Sequence, residues 1–192
     1  MTAEEYLTSH WNPKEIWNNL KRPKHQMRFQ AIVDRLKGRY FCDVGCGTGH
    51  STDIMKKMKK GSSWTGVEFY EHNVSEGKKI FKNMKLVYCP EDNLDLYGTL
   101  KKKFDTVVCS EVLEHVKRHV LLIKRLVAIA RKRVVITTPC VYVNDPGHVR
   151  LYDETMLRNL MAKCGIEDYE LTKEITVKGR PVFWYLVIDV KA

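Results

Sequence analysis

Three glycines alternate with other residues in Asp43-Val-Gly-Cys-Gly-Thr-Gly49, the most informative segment of this chain. It follows the short apolar segment Tyr40–Val44, which is typical of a β-strand, and it precedes a segment with helical apolar spacing that Ser51 or Thr52 is expected to cap. Glycines between a strand and a helix let the backbone approach a ligand closely at the helix N-terminus. The sequence therefore predicts a ligand-binding loop at this point.

The same order of strand and helix continues along the rest of the chain. Further strands are predicted at 64–68, 84–89, 104–109, 133–138, 168–176 and 182–190, mostly with helices between them. The turn Lys178-Gly179-Arg180 suits a hairpin, so the last strand should be antiparallel to its neighbour. The pattern predicts an α/β protein, namely a single-domain, doubly wound, seven-stranded sheet that is mostly parallel with an antiparallel C-terminal strand.

Composition limits the classes of function. The chain has 192 residues, which suits one domain, and no run of about 20 apolar residues that could span a membrane. Its six cysteines include no Cys-x-x-Cys pair, which favours reduced thiols and a cytoplasmic location. A net charge of +10 favours anionic partners such as nucleic acid, although the lysines occur in small scattered clusters that are typical of solvated helix faces.

The glycine spacing and two acids indicate the kind of ligand. A dinucleotide loop has the pattern G-x-G-x-x-G, whereas here the third glycine, Gly49, comes one residue early. Asp43 would repel a pyrophosphate but would attract a cation. Glu68 closes the second predicted strand, where an acid can accept hydrogen bonds from both ribose hydroxyls. These features fit a nucleoside with a positive tail, and S-adenosylmethionine is such a ligand.

Four segments carry a family resemblance over about residues 25–190. They are Phe41–Gly49, Glu68, the segment Phe104–Val116 with its Ser-Glu-Val-Leu-Glu-His-Val run, and His148-Val-Arg-Leu-Tyr-Asp153. In these segments the chain resembles class I S-adenosylmethionine-dependent methyltransferases, especially the branch that contains quinone-biosynthesis enzymes. The resemblance implies a Rossmann-like fold, S-adenosylmethionine as cofactor, S-adenosylhomocysteine as product and a small-molecule acceptor.

The resemblance also assigns residues to the cofactor. The cofactor-binding candidates are Asp43, Gly45, Cys46, Gly47, Gly49, Glu68, Phe69, Glu91, Asp92, Ser110 and Glu111. The sequence departs from the family after the third strand, where relatives often carry Gly-Asp-Ala and this chain has Cys89-Pro-Glu-Asp-Asn93. Either Glu91 or Asp92 is therefore expected to contact the adenine, unless the segment makes only a backbone contact.

Two histidines are the catalytic candidates. A hydroxyl acceptor needs a base, and His115 and His148 follow the fourth and fifth predicted strands at the edge where ligands bind. Carbon or amine acceptors need no base, so the sequence leaves the methylated atom open.

A metal site is the main alternative at the same place. If a helix begins near Glu111, then Glu111, Glu114 and His115 share one face and could hold Mg²⁺ or Mn²⁺. This pattern resembles the small-RNA 3′-terminal 2′-O-methyltransferases, with His148 as a further ligand. The same run is common in metal-free small-molecule relatives, so we expect no metal. A metal-assisted RNA 2′-O-methyltransferase and a catalytically silent cofactor-binding module remain the alternatives.

Residues 1–24 precede the domain, which we expect to span 25–192. They contain Trp11, Trp17 and Pro23, and we predict that this segment is helical and covers the cofactor as a lid. The sequence does not indicate the oligomeric state.

Overall fold

The structure, a computed structural model, describes residues 12–90, 94–100, 104–175 and 180–191. Helices and strands alternate through most of this part of the chain. The helices are α1 Pro13–Leu20, α2 Pro23–Asp34, α3 His50–Met58, α4 Glu71–Ile80, α5 Leu96–Thr99, α6 His119–Ile129 and α7 Glu154–Cys164. The strands are β1 Tyr40–Val44, β2 Ser63–Glu68, β3 Lys85–Tyr88, β4 Phe104–Ser110, β5 Ala130–Pro139, β6 Tyr169–Ile175 and β7 Pro181–Asp189.

The strands of the described residues form one seven-stranded sheet in the order β3-β2-β1-β4-β5-β7-β6. Pairing among β1 to β5 is parallel, whereas β7 runs antiparallel to both β5 and β6. The predicted fold class and the antiparallel last strand are thus confirmed. Most of the hairpin turn predicted at 178–180 lies outside the described residues.

Helices cover both faces of the sheet because adjacent strand residues point to opposite sides. On one face, Val108 and Val135 pack with Phe29 and Ile32 of α2. On the other face, their chain neighbours Val107 and Val134 pack with apolar side chains of α6 and α7. Buried strands with a helical layer on each side leave the carboxyl ends of β1, β2, β4 and β5 as the edge where a ligand can bind.

Helix α3 begins at His50, before both of its predicted cap residues. Gly49 is its N-cap residue and has the left-handed conformation, with φ 89°. The expectation that Ser51 or Thr52 caps this helix is wrong, because both lie inside it. The hydroxyl of Thr52 instead donates to Asp43, across the glycine loop.

The helix after β4 begins at His119, not near Glu111. Glu111 adopts a left-handed conformation, with φ 57°, and its N–H donates to the carbonyl of Thr137 in β5. The chain therefore leaves β4 through a turn. A second turn follows, in which the N–H of His115 donates to the carbonyl of Val112. The expected helix face that joins Glu111, Glu114 and His115 does not exist.

The N-terminal part of the described chain is helical from Pro13. Helix α2 begins at Pro23, so it crosses the expected boundary between residues 24 and 25. None of the helices in the described ranges is both long and apolar enough to cross a membrane.

Candidate active site

The glycine loop, residues 45–49, makes a tight turn between β1 and α3. Gly45, Gly47 and Gly49 all have positive φ, at 77°, 56° and 89°. A Cβ atom on Gly45 would lie 2.2 Å from the side chain of Val112, whereas a Cβ on Gly47 would have no heavy atom within 4 Å. The loop is therefore packed on its inner side and open at Gly47, which is where a ligand can contact the backbone.

Glu68, at the carboxyl end of β2, lies against this loop. Its Oε2 accepts the N–H of Gly47 at 2.8 Å, and its Oε1 accepts the N–H of Tyr70 at 3.2 Å and the side-chain amide of Asn73 at 3.3 Å. Only 4% of Glu68 is exposed, and burial raises the pKa of its carboxyl. The three donors fix the carboxylate beside the open glycine.

Asp43 lies within β1, just before the glycine loop. It is buried, and burial raises the pKa of its carboxyl to about 6, against the opposing effects of the Thr52 hydroxyl bond and the Arg28 charge. The Thr52 hydroxyl donates to Oδ2 at 2.5 Å. A cationic ligand group beside Asp43 would stabilise its ionised form.

Arg28 is a site residue that the sequence analysis missed. It lies on α2, only 5% of it is exposed, and its guanidinium stacks on the ring of Phe183 at 4.8 Å. Its Nη1 forms an ion pair with Oε2 of Glu111 at 3.1 Å, while its Nε has no hydrogen-bond partner. The signal in the sequence is an arginine among the apolar positions of an amphipathic helix, beside Phe29 and one turn before Ile32.

Glu111 and Ser110 connect this ion pair to β5. The hydroxyl of Thr137 donates to Oε1 of Glu111 at 3.1 Å and also shares a 2.8 Å hydrogen bond with the hydroxyl of Ser110. Burial raises the pKa of the Glu111 carboxyl, and the charge of Arg28 opposes that rise. The carboxylate of Glu111 thus has two partners, the guanidinium of Arg28 and the hydroxyl of Thr137.

Two further cofactor candidates have structural contacts. Cys46 is buried, its N–H donates to the carbonyl of Val67, and burial raises the pKa of its thiol well above the usual value. Phe69 belongs to the main apolar core. The adenine candidates Glu91 and Asp92 lie outside the described residues.

The catalytic candidates His115 and His148 lie side by side, with ring centroids 4.6 Å apart. Nδ1 of His115 is 3.0 Å from the carbonyl oxygen of Gly147, and burial lowers the pKa of its imidazole. Glu114 lies behind the pair, since its Oε1 is 4.0 Å from Nε2 of His148. The carboxyl ends of β4 and β5 bring these three residues together, although they come from two separate loops.

Comparison with known proteins gives the family of this chain. Residues 20–171 match the sequence model of a family described as "Methyltransferase domain". The ubiquinone biosynthesis O-methyltransferase of Coxiella burnetii is 29% identical over 127 residues, which are 63% of this chain and 52% of that protein. The chain spans about half the length of the curated relatives it matches.

Solved structures share the fold. The plantazolicin methyltransferase BamL, crystallised with S-adenosylhomocysteine, has a TM-score of 0.75 at 11% identity, covering 98% of this chain and 94% of its own. The magnesium protoporphyrin IX methyltransferase of Synechocystis PCC 6803 with bound S-adenosylmethionine has a TM-score of 0.64 at 17% identity, covering 100% of this chain and 98% of its own. Identities this low show a common architecture.

Proposed function

Since the chain belongs to the methyltransferase-domain family, we propose that it transfers a methyl group from S-adenosylmethionine to a hydroxyl of a small-molecule acceptor. One observation carries the proposal: the glycine loop is open at Gly47, and two buried carboxylates with fixed hydrogen bonds, Glu68 and Asp43, belong to the strands at its base. An open loop near two acids suits a neutral nucleoside with a cationic end.

Each group of the cofactor has a complementary partner at this edge of the sheet. Glu68 would accept hydrogen bonds from the ribose hydroxyls, as an acid at the end of the second strand does in related nucleoside sites. Asp43 would stabilise the cationic end. Arg28 offers a buried Nε–H without a partner, which suits the carboxylate of the methionine end. Glu111, which is paired with Arg28, would hold the ammonium group of the same end.

The sulfonium supplies the reactivity of methyl transfer. The protein aligns the acceptor oxygen with the methyl carbon, excludes water and receives a proton as the new C–O bond forms and the C–S bond breaks. His115 and His148 lie at the carboxyl ends of β4 and β5, and we assign them to the acceptor hydroxyl. The neutral imidazole of His115, whose pKa burial lowers, can receive that proton.

The acceptor is assigned as a small apolar or aromatic molecule. The loop after β5 exposes an apolar rim, Val141, Tyr142 and Val143, and 80% of Tyr142 is accessible. Exposed aromatic and apolar side chains beside a catalytic pair suit a planar apolar partner. The Coxiella relative is an O-methyltransferase of ubiquinone biosynthesis by name, which agrees with a hydroxyl acceptor of this kind.

Calorimetric titration tests the cofactor assignment. We expect one S-adenosylmethionine or S-adenosylhomocysteine to bind per chain and NAD not to bind. In Glu68→Ala the ribose loses hydrogen bonds to a charged acceptor, so affinity should fall about ten- to a hundredfold. Unchanged affinity in Glu68→Ala would contradict the assigned role of Glu68, and binding of NAD instead of the sulfur nucleosides would contradict the proposed function.

A further inference from the structure

His25 is a buried imidazole that the proposed cofactor site does not use. It lies in the first turn of α2, and only 9% of it is exposed. Neither of its ring nitrogens has a hydrogen-bond partner among the described residues. Because a buried polar atom without a partner costs free energy, such an imidazole in a folded protein indicates a binding role.

The ring of His25 lies on the acceptor side of the edge where ligands bind. Its centroid is 6.3 Å from that of Phe183, which pairs with Pro139 at the carboxyl end of β5. In the sheet, β4 and β5 lie between β7, which carries Phe183, and β1, which leads into the glycine loop. Neighbouring strands are about 4.8 Å apart, so β7 is roughly 14 Å from β1. His25 therefore lies beside the loop after β5, to which the acceptor is assigned, and not beside the glycine loop.

The groups around His25 are cationic. Arg28, one turn further along α2, stacks its guanidinium on the same Phe183 ring at 4.8 Å. Burial, together with the charges of Arg28 and Lys24, lowers the pKa of His25 to about 3. The first turn of α2, Pro23-Lys-His-Gln26, contains no acid, although acids are favoured at the positive end of a helix. An anionic ligand group is therefore favoured beside His25 and a cationic one is disfavoured.

Glu111 does not neutralise these cations by itself. Its carboxylate oxygens already contact the guanidinium of Arg28 and the hydroxyl of Thr137. Burial raises the pKa of the Glu111 carboxyl, and the charges of Arg28 and Lys24 both oppose that rise. One carboxylate thus lies near two cations, which leaves positive charge for a second anion.

We infer that His25 and Lys24 bind an anionic group of the acceptor, a carboxylate or a phosphate, while the acceptor hydroxyl lies at His115 and His148. The inference rests on the proposed function, which assigns the acceptor to this side of the sheet. The imidazole N–H and the ammonium group of Lys24 both donate to the anion, and charge-assisted hydrogen bonds are the strong ones. The acceptor is consequently an apolar or aromatic acid that carries a hydroxyl.

Titration of the S-adenosylhomocysteine complex tests the site without methyl transfer. The probes are 4-hydroxyphenylacetate, 4-hydroxybenzylphosphonate and the neutral 4-hydroxyphenylacetamide, which share a phenol ring. Because the complex already holds the methionine carboxylate, an added anion reports a separate site. We expect wild type to bind at least one of the two acids about tenfold more tightly than the amide, since a charge-assisted hydrogen bond is gained. The acid that binds more tightly distinguishes a carboxylate from a phosphate group.

His25→Phe keeps an aromatic ring against Phe183 and removes both nitrogens. The affinity of its complex for the acids should fall to within about twofold of that for the amide. Lys24→Gln should reduce the preference for the acids. Lys21→Gln is the matched control, because it removes the same charge from a side chain whose Nζ lies 6.0 Å from the ring centroid of Trp17. All three variants should bind S-adenosylhomocysteine within about twofold of wild type, which also shows that they are folded.

Equal affinity for the acids and the amide in wild type, or no binding of any probe at millimolar concentration, would overturn the inference. A preference for the acids that survives in His25→Phe would also overturn it. So would a loss of S-adenosylhomocysteine affinity in that variant, which would place His25 at the cofactor. Methyl transfer is measured separately, so failure of this titration leaves the proposed function standing, and absence of transfer leaves the anion site standing.

Discussion

Among single residues, Arg28 is the one whose place at the site could not be predicted from the sequence motifs. The motifs placed Asp43, Glu68 and Glu111 near one another because the carboxyl ends of parallel strands meet at one edge of a sheet, and the structure places all three there. Arg28 comes from a helix outside those motifs, and its position depends on the contact of α2 with Phe183 and Glu111. Such contacts between distant segments have no local signal.

Removing Arg28 should affect one end of the cofactor only. In Arg28→Gln we expect the affinity for S-adenosylhomocysteine to fall at least about tenfold, because a charge-assisted hydrogen bond to its carboxylate is lost. Methylthioadenosine has no methionine carboxylate, so its affinity should stay within about twofold of wild type by the same argument. Both affinities can be measured by calorimetry.

Arg35→Gln is the control for this experiment. Arg35 directly follows α2, and its guanidinium pairs with Glu174 at 2.5 Å, away from the glycine loop. Its replacement should leave both affinities unchanged. An equal loss of both ligands in Arg28→Gln would show that Arg28 supports the shape of the site and does not contact the carboxylate.

At the scale of elements, local patterns predicted most strands and helices. Apolar runs and helical spacing have local physical causes, and the strands at 40–44, 63–68 and 104–110 lie close to their predicted bounds. A helix beginning near Glu111 was considered in the sequence analysis, but the helix begins at His119. The left-handed backbone of Glu111 and its hydrogen bond to the neighbouring strand β5 do not fit a helix that begins there, and no pattern within the segment reveals them.

Helix α1 is the element whose role stays a prediction. The ring of Trp17 packs edge-on against His50 at 4.7 Å, and His50 directly follows Gly49 of the glycine loop. The contact places α1 beside the loop, as a lid would require. The larger expectation that residues 1–24 cover the cofactor includes residues 1–11, which lie outside the described part of the chain.

Deleting residues 1–20 tests the lid. We expect cofactor affinity to fall because the site loses its cover to solvent. The thermal midpoint of the cofactor-free protein should change little, since no described side chain of α1 is fully buried and Leu20 at its end packs only at the edge of an apolar cluster. Calorimetry gives the affinity and thermal unfolding gives the midpoint. Wild-type affinity in the shortened chain would show that the segment is not a lid.

At the scale of the whole molecule, the family predicted from the motifs is confirmed, and the acceptor is the part that the fold does not determine. The same architecture occurs in a methyltransferase for a porphyrin and in one for plantazolicin. The loops around the site and the charge of the protein surface determine which acceptor binds. The net charge of +10 is the main feature of this chain that favours RNA over a small molecule. The cytoplasmic location, which the cysteines suggest, also stays a prediction.

Transfer of labelled methyl groups measures the proposed activity itself. Wild-type protein is incubated with methyl-labelled S-adenosylmethionine and, in separate reactions, with a small-molecule extract of cells and with total RNA from the same cells; each reaction is run with and without added Mn²⁺. We predict label in the small-molecule fraction, and roughly five- to fiftyfold less label with Glu68→Ala at a cofactor concentration near the wild-type Kd. Label in RNA alone would contradict the assigned acceptor, and cofactor binding without any transfer would contradict the proposed activity and indicate a silent binding module.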